Sequence, residues 1–112
     1  MGPLLSTMVK LSFTAIATAD IKALQLVGFN GAPTGAGDAV YGVAATDAKA
    51  GDEFTVNIIT IQDFIAPAAI SKGSAVQSNA DGAPVVEAGG ATFGVALTAA
   101  DNPGDLVSIL VK

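Results

Sequence analysis

Two stretches of this chain say nearly the same thing. Residues 41–59 read YGVAATDAKAGDEFTVNII, and residues 93–111 read FGVALTAADNPGDLVSILV. The likeness extends upstream. In the first half, residues 21–27 precede Asn30-Gly31-Ala32-Pro33; in the second, residues 70–76 precede Asp81-Gly82-Ala83-Pro84. The offset grows from 49 residues (Ile21 to Ile70) to 53 (Asp52 to Asp105). Every change in length falls between shared blocks, where loops absorb insertions. Four matching blocks in one order argue for a duplication, and a duplication limits the fold: one unit must pack against its own copy. A solenoid needs about three or more repeats, so two point to one domain with internal pseudo-symmetry.

The period inside the blocks gives the type of unit. After Gly51, Phe54, Val56 and Ile58 alternate with Glu53, Thr55 and Asn57. Alternation with period two marks a half-buried strand. After Gly104, Val107, Ile109 and Val111 alternate with Leu106, Ser108 and Leu110. That strand is apolar on both faces except at Ser108, so burial on both sides is expected. The Asn-Gly and Asp-Gly pairs ahead of each block are turn signals, because these residues tolerate positive φ. Each half reads as strand, turn, short strand, loop, a [YF]GVA strand, turn and long strand. Gly42 and Gly94 fall inside strands, where glycine weakens pairing unless something needs the space. Both read as structural residues at a close backbone approach or a bulge. Residues 17–27 and 98–102 are the two segments with short-helix character.

The expected fold is therefore all-β, or mainly β with one or two short helices. It is a small single-domain β-barrel or sandwich with an internal duplication. Residues 1–10 read as a flexible N-terminal arm. Residues 11–112 read as one β domain built from two pseudo-repeats, about 16–62 and 65–112. The arm carries Leu4, Leu5 and Met8, and Leu11 follows it; these apolar residues have no place in either repeat. They are the expected partner-binding residues, ordered on binding. Gly2 and Ser6 fit the loose myristoylation pattern, but Pro3 is an awkward neighbour, and residues upstream of a natural start at Met8 are the simpler account. The opening segment lacks the basic and apolar regions of a signal peptide, and no apolar run reaches the roughly 18 residues of a membrane helix.

Composition removes most chemistry. The 112 residues include no Cys and no His, hence no disulfide, no thiolate and neither the commonest general base nor the commonest zinc ligand. Lysines supply all five cations, against ten acids, for a net charge of −5. With no basic patch, nucleic acid is not an expected partner. Charged residues make up 13% of the chain and apolar ones 51%, where an ordinary soluble domain carries about 25% charged. A small domain cannot hide that much apolar surface, which favours an assembling protein.

One stretch looks catalytic. Gly35-Ala36-Gly37-Asp38 resembles the GAGD turn of ribokinase-type sugar kinases, in which backbone amides form an anion hole and the Asp is the base. The large α/β domain of those kinases has no counterpart here, and the repeat places Gly90 where the Asp would recur, so a turn is the better reading. Asp52 and Asp105 recur at matching positions. A general acid–base pair needs carboxyls within roughly 5–10 Å, whereas the simpler reading has each Asp capping its own turn. Asp47, Asp52 and Glu53 lack the loop pattern of a calcium site. No catalytic residue, cofactor or metal ligand is expected.

The block GVAATDAKAGDEFTVNI, followed by GSAVQSNADGAPVVEAGGATFGVALTAADNPGDLVSILV, resembles the tailed-phage capsid cement family, the head decoration proteins, from about Phe13 onward. The resemblance implies a small β-rich structural subunit, not an enzyme. It would bind the outside of a phage head and reinforce the major capsid protein lattice, as a homo-oligomer with a trimer favoured. It implies no site residues. A phage tail, fibre or host-surface module recognising carbohydrate is the alternative.

Overall fold

The computed structural model describes residues 8–112 and their side chains from residue 11 onward. Among these residues every regular element is a strand: β1 (Met8–Ile16), β2 (Leu26–Val27), β3 (Gly42–Ala44), β4 (Glu53–Ile65), β5 (Ala75–Ser78), β6 (Pro84–Val86), β7 (Gly94–Ala96) and β8 (Leu106–Val111). Seven of them, in the order β2-β3-β4-β8-β7-β5-β6, make a nearly closed antiparallel barrel, and β1 pairs with β4 off that path. The gap between the ends is bridged by backbone bonds. Leu26 N–H donates to Gly82 O at 2.8 Å, Gly37 N–H to Ser78 O at 2.9 Å, and Ala91 N–H to Gly37 O at 2.9 Å.

β4 organises the rest. It runs unbroken for 13 residues, across the junction between the two repeat segments. Val56 and Asn57 pair with both β1 and β3, while Thr60 and Ile61 pair with both β1 and β8. A strand has two edges, so β1 lies along one, and β3 and β8 share the other. The ladder with β1 skips Ile58, since Leu11 faces Ile59 and Ser12 faces Asn57. Such an irregularity breaks the two-residue period locally. The expected pattern accordingly fails there: Phe54 and Val56 are buried, but Asn57 is buried too and Ile58 is only half-buried. β8 is buried on both faces from Val107 to Ile109, and Leu106 at its start is exposed.

Neither short-helix segment is helical. In residues 17–27, Ile21 forms a β-bridge with Ala48 and Leu24 has φ 70°. In residues 98–102, Ala100 bridges to Ile70. Both segments give their N–H groups to distant carbonyls, Ile21 to Ala48 at 2.8 Å and Ala100 to Ile70 at 2.8 Å. Local propensity is a weak prior, and these tertiary bonds override it. The short strand expected after Asn30-Gly31 is a single bridge, Val27 to Pro33; its counterpart after Asp81-Gly82 is β6.

The same bonds recur in both halves. Ala17 N–H donates to Asp52 O and Ala66 N–H to Asp105 O, each at 2.8 Å. Gly51 N–H donates to Ala17 O at 2.7 Å, and Gly104 N–H to Ala66 O at 2.8 Å. The core divides in the same way. One cluster holds Ala17, Ile21, Val27, Ala44, Ala48, Phe54 and Val56. The other includes Ala66, Ile70, Val76, Ala96, Ala100, Val107 and Ile109, with Phe64, Phe93 and Val111 added and Leu26 and Val43 reaching in from the first half. The small residues let thin layers close, and each buried Val or Ile contributes about 1.5–3 kcal/mol.

Candidate interaction surface

Several of the acids are spent on turns. Asp52 Oδ2 accepts from Lys49 N–H at 3.2 Å, and Asp105 Oδ2 from Asn102 N–H at 3.0 Å. Asp47 Oδ1 accepts from Ala23 N–H at 2.7 Å and Asp20 Oδ1 from Ala50 N–H at 3.2 Å. Each carboxylate satisfies a loop donor, as short polar side chains commonly do. Among the described residues, no group of three or more acids is placed to hold a metal ion.

The GAGD stretch is part of the seam. Asp38 Oδ2 accepts from Gly35 N–H at 3.0 Å. Gly37 adopts φ 71°, and a Cβ there would lie 3.1 Å from Gly90 Cα. The two loops cross backbone to backbone at that point. Gln77 Oε1 secures the second loop by accepting from Ala88 N–H at 2.8 Å and Gly90 N–H at 2.9 Å. Beneath the crossing, the hydroxyls of Thr34 and Ser78 share a hydrogen bond of 2.6 Å, and both residues are buried. The motif that resembles a kinase turn closes a barrel.

Gly42 and Gly94 occupy matching places in β3 and β7. A Cβ on Gly42 would sit 2.5 Å from Asn57 O, and one on Gly94 would press on Leu110 O. Neither has positive φ, so space alone is at issue. Of the arm residues, Leu4 and Leu5 lie outside the described residues, and Met8 is the first residue of β1.

What stands out is the exposed apolar surface. On β1, Leu11, Phe13 and Ile16 are 42%, 51% and 61% exposed, and Ile59, opposite Leu11, is 39% exposed. A second group surrounds Ile65, which pairs with Leu106; both are exposed, and Ile65 lines a groove of about 290 Å³ with Leu24, Gln25 and Pro84. A third is Phe29, 74% exposed, its ring 4.8 Å from that of Tyr41. Sequence reasoning singled out Leu11 and missed the others. The available signal was LSFTAI, residues 11–16, with Leu11, Phe13 and Ala15 in one strand phase, Ile16 in the other, and no charge.

A small antiparallel barrel, with several acids tied into turns and several large apolar side chains exposed, has the make-up of a structural subunit. The particular family is then clear: a phage cement protein family model matches residues 6–112, and the chain belongs to that family. No curated protein matches it. Among solved structures, it is similar to the head fiber gp8.5 N base in bacteriophage phi29. That match has a TM-score of 0.68 and 26% identity, and it covers 91% of this chain and 93% of the other.

Proposed function

We propose that this protein decorates the outside of a tailed-phage head, bridges neighbouring major capsid protein subunits and stabilises their lattice, without enzymatic activity. The carrying observation is the exposed apolar surface on a barrel several of whose acids serve its own turns. A free monomer gains nothing from exposing Phe13, Ile16 and Ile65, whereas a subunit that docks on a shell buries them. The similarity to a phage head fiber base supports the same location. We read the matching bonds and cores of the two halves as the product of a duplication, which gives one chain two similar frameworks with different outer residues. Working as a homo-oligomer, such a subunit would make several weak contacts at once and hold tightly by multivalency. Leu4, Leu5 and Met8 belong to this reading as anchors on the capsid.

The test is to heat heads with and without the purified protein. Binding only the assembled shell raises its resistance by linkage, so decorated heads should retain DNA to a higher temperature. Removing residues 1–7 should weaken binding and leave the melting temperature of the free protein unchanged. Heads that neither bind the protein nor change their DNA release would overturn the proposal.

Phe29 and Tyr41 favour one second reading. Exposed Phe29, backed by half-buried Tyr41, is a ready stacking face, as a host-surface carbohydrate module requires. Specific glycan binding lost in Phe29→Ala would support it, and loss of head binding in that variant would return Phe29 to the capsid contact.

A further inference from the structure

We infer that the groove between Leu24 and Ile65 seats an apolar, uncharged segment of the major capsid protein, with Leu24 as its anchor. The inference rests on the capsid reading and gives it a surface. It begins with a glycine that the first half lacks. Leu24 matches Gly73, 49 residues further on. Both adopt positive φ, 70° and 86°. Their turns agree bond for bond. Leu24 N–H donates to Ala44 O and Gly73 N–H to Ala96 O, each at 2.8 Å. Gln25 N–H donates to Lys22 O and Ser74 N–H to Ser71 O, each at 3.1 Å. The framework asks for glycine at this point, because a left-handed leucine crowds its own backbone. Leu24 is 43% exposed, so burial within the free subunit does not fully offset that strain. Strained residues gather where a side chain is held out for a ligand.

The groove itself comes from a proline. In the first half, Thr18 N–H donates to Gly31 O at 3.0 Å, and that turn lies hard against Ile16 O. The residue matching Thr18 in the second half is Pro67, which has no N–H. Gly82, the match of Gly31, accepts instead from Leu26 N–H at 2.8 Å. A cleft of about 290 Å³ is left beside Ile65, lined by Leu24, Gln25 and Pro84. Its walls are tied together: Gln25 Nε2 donates to Asp81 O at 3.0 Å, and Gln25 Oε1 accepts from Lys22 N–H at 3.1 Å. A preformed apolar cleft costs little ordering on binding. Lys22 and Asp81, one of each sign, leave it without net charge, so apolar contact selects the occupant. Size then favours the capsid over a second copy. A cleft this small cannot supply the roughly 800 Å² that each partner of a stable pair buries, and two copies at net −5 repel. Repeated over a lattice of capsid subunits, a small contact is enough.

The test is head binding by sedimentation, beside the solution mass and melting of the free protein. Leu24→Asn puts in a residue that tolerates positive φ and removes the anchor. It should melt no lower than wild type and bind heads about tenfold more weakly, as the loss of one buried leucine side chain implies. Gly73→Leu is the converse. A Cβ there meets nothing within 4 Å, so only left-handed strain is added; it should melt about 4 °C lower and keep its head binding. The chain has no Cys, so Ile65→Cys takes a single photo-crosslinker, which should join to the major capsid protein on heads. Wild type that binds heads no better than Leu24→Asn overturns the inference and leaves the capsid reading standing. Wild type that does not bind heads at all overturns both. Gly73→Leu melting with wild type would mean that Leu24 carries no strain, and overturns the anchor. Cross-linking to a second copy, or a wild-type oligomer that Leu24→Asn dissolves, gives the groove to a neighbouring subunit and overturns the inference too.

Discussion

Replacing Gly94 by alanine asks how much of this barrel depends on one missing methyl group. The new Cβ would press on Leu110 O and stand 3.1 Å from Ile109 Cγ2. Leu110 faces Val95 in the β7–β8 ladder and Ile61 in the β4–β8 ladder, so its carbonyl is held by strands on both sides. Relief requires opening the pairing of β7, which spans only three residues. Overpacking costs about 1–3 kcal/mol, and a fixed backbone atom puts this case at the upper end. The unfolded chain offsets part of that, since alanine lowers its entropy by about 0.4–1 kcal/mol. The net expected loss is about 2 kcal/mol. For a chain of this length, one kcal/mol moves the midpoint by about 4 °C, so Gly94→Ala should melt about 8 °C below wild type. Gly42→Ala, 2.5 Å from Asn57 O, should fall by a similar amount. Gly104 is the control: it has φ 92°, and a Cβ there would meet nothing within 4 Å. Gly104→Asn suits a left-handed turn, so it should shift little. Scanning calorimetry decides the matter. Gly94→Ala melting within 2 °C of wild type, roughly the noise of a 0.5 kcal/mol effect, would refute the close-approach argument.

Three further outcomes are expected. Gln77→Leu strips acceptors from the Ala88 and Gly90 N–H groups and should cost about 2 kcal/mol by urea denaturation, with the loop at residues 88–91 gaining hydrogen exchange first. Thr34→Val and Ser78→Ala should show a coupling of about 1 kcal/mol in a double-mutant cycle, because each hydroxyl serves the other across the seam. Ile65→Asp, at an exposed position beside exposed Leu106, should leave the melting temperature within about 2 °C of wild type and reduce head binding in a sedimentation assay.

The turns were the most legible part of the fold. Gly31, Gly51, Gly82 and Gly104 all adopt positive φ, at the Asn-Gly and Asp-Gly pairs and at the turn read before each long strand. The long strands were legible because Phe54 and Val56, like Val107 and Ile109, keep the period of a sheet with a buried face. β1 was not. LSFTAI alternates apolar and polar residues from Leu11 to Ala15, but Leu11 and Phe13 are exposed along with Ser12 and Thr14, so its pattern does not report its burial. The helical reading of residues 17–27 failed for the opposite reason. Ala and Leu there suit a helix locally, but Ile21 is drawn into the core with Ala48, a long-range contact that propensity cannot anticipate. The surface was the least legible of all. Exposure of Phe29 or Ile65 depends on which element happens to lie over it, and that is fixed only by the closed barrel.

The two halves agree in the core and part company at the surface. Ile16 and Ile65 stand just before the buried Ala17 and Ala66, and both are exposed. Their cross-strand partners differ: Glu53 faces Ile16, and Leu106 faces Ile65. Tyr41 lies half-buried under Phe29, while Phe93, its counterpart, is fully buried. The edges differ most. Among the described residues β1 pairs with β4 alone, whereas the corresponding stretch of β4 is met at Thr60 and Ile61 by β1 itself and by β8. On the duplication proposed above, the framework was kept because a core change in either copy costs several kcal/mol. The outer residues were free to diverge because exposed substitutions cost little. A subunit made this way presents three unlike apolar surfaces from one repeated scaffold. That is the asymmetry needed to meet neighbours that are not themselves related by the pseudo-symmetry of the barrel.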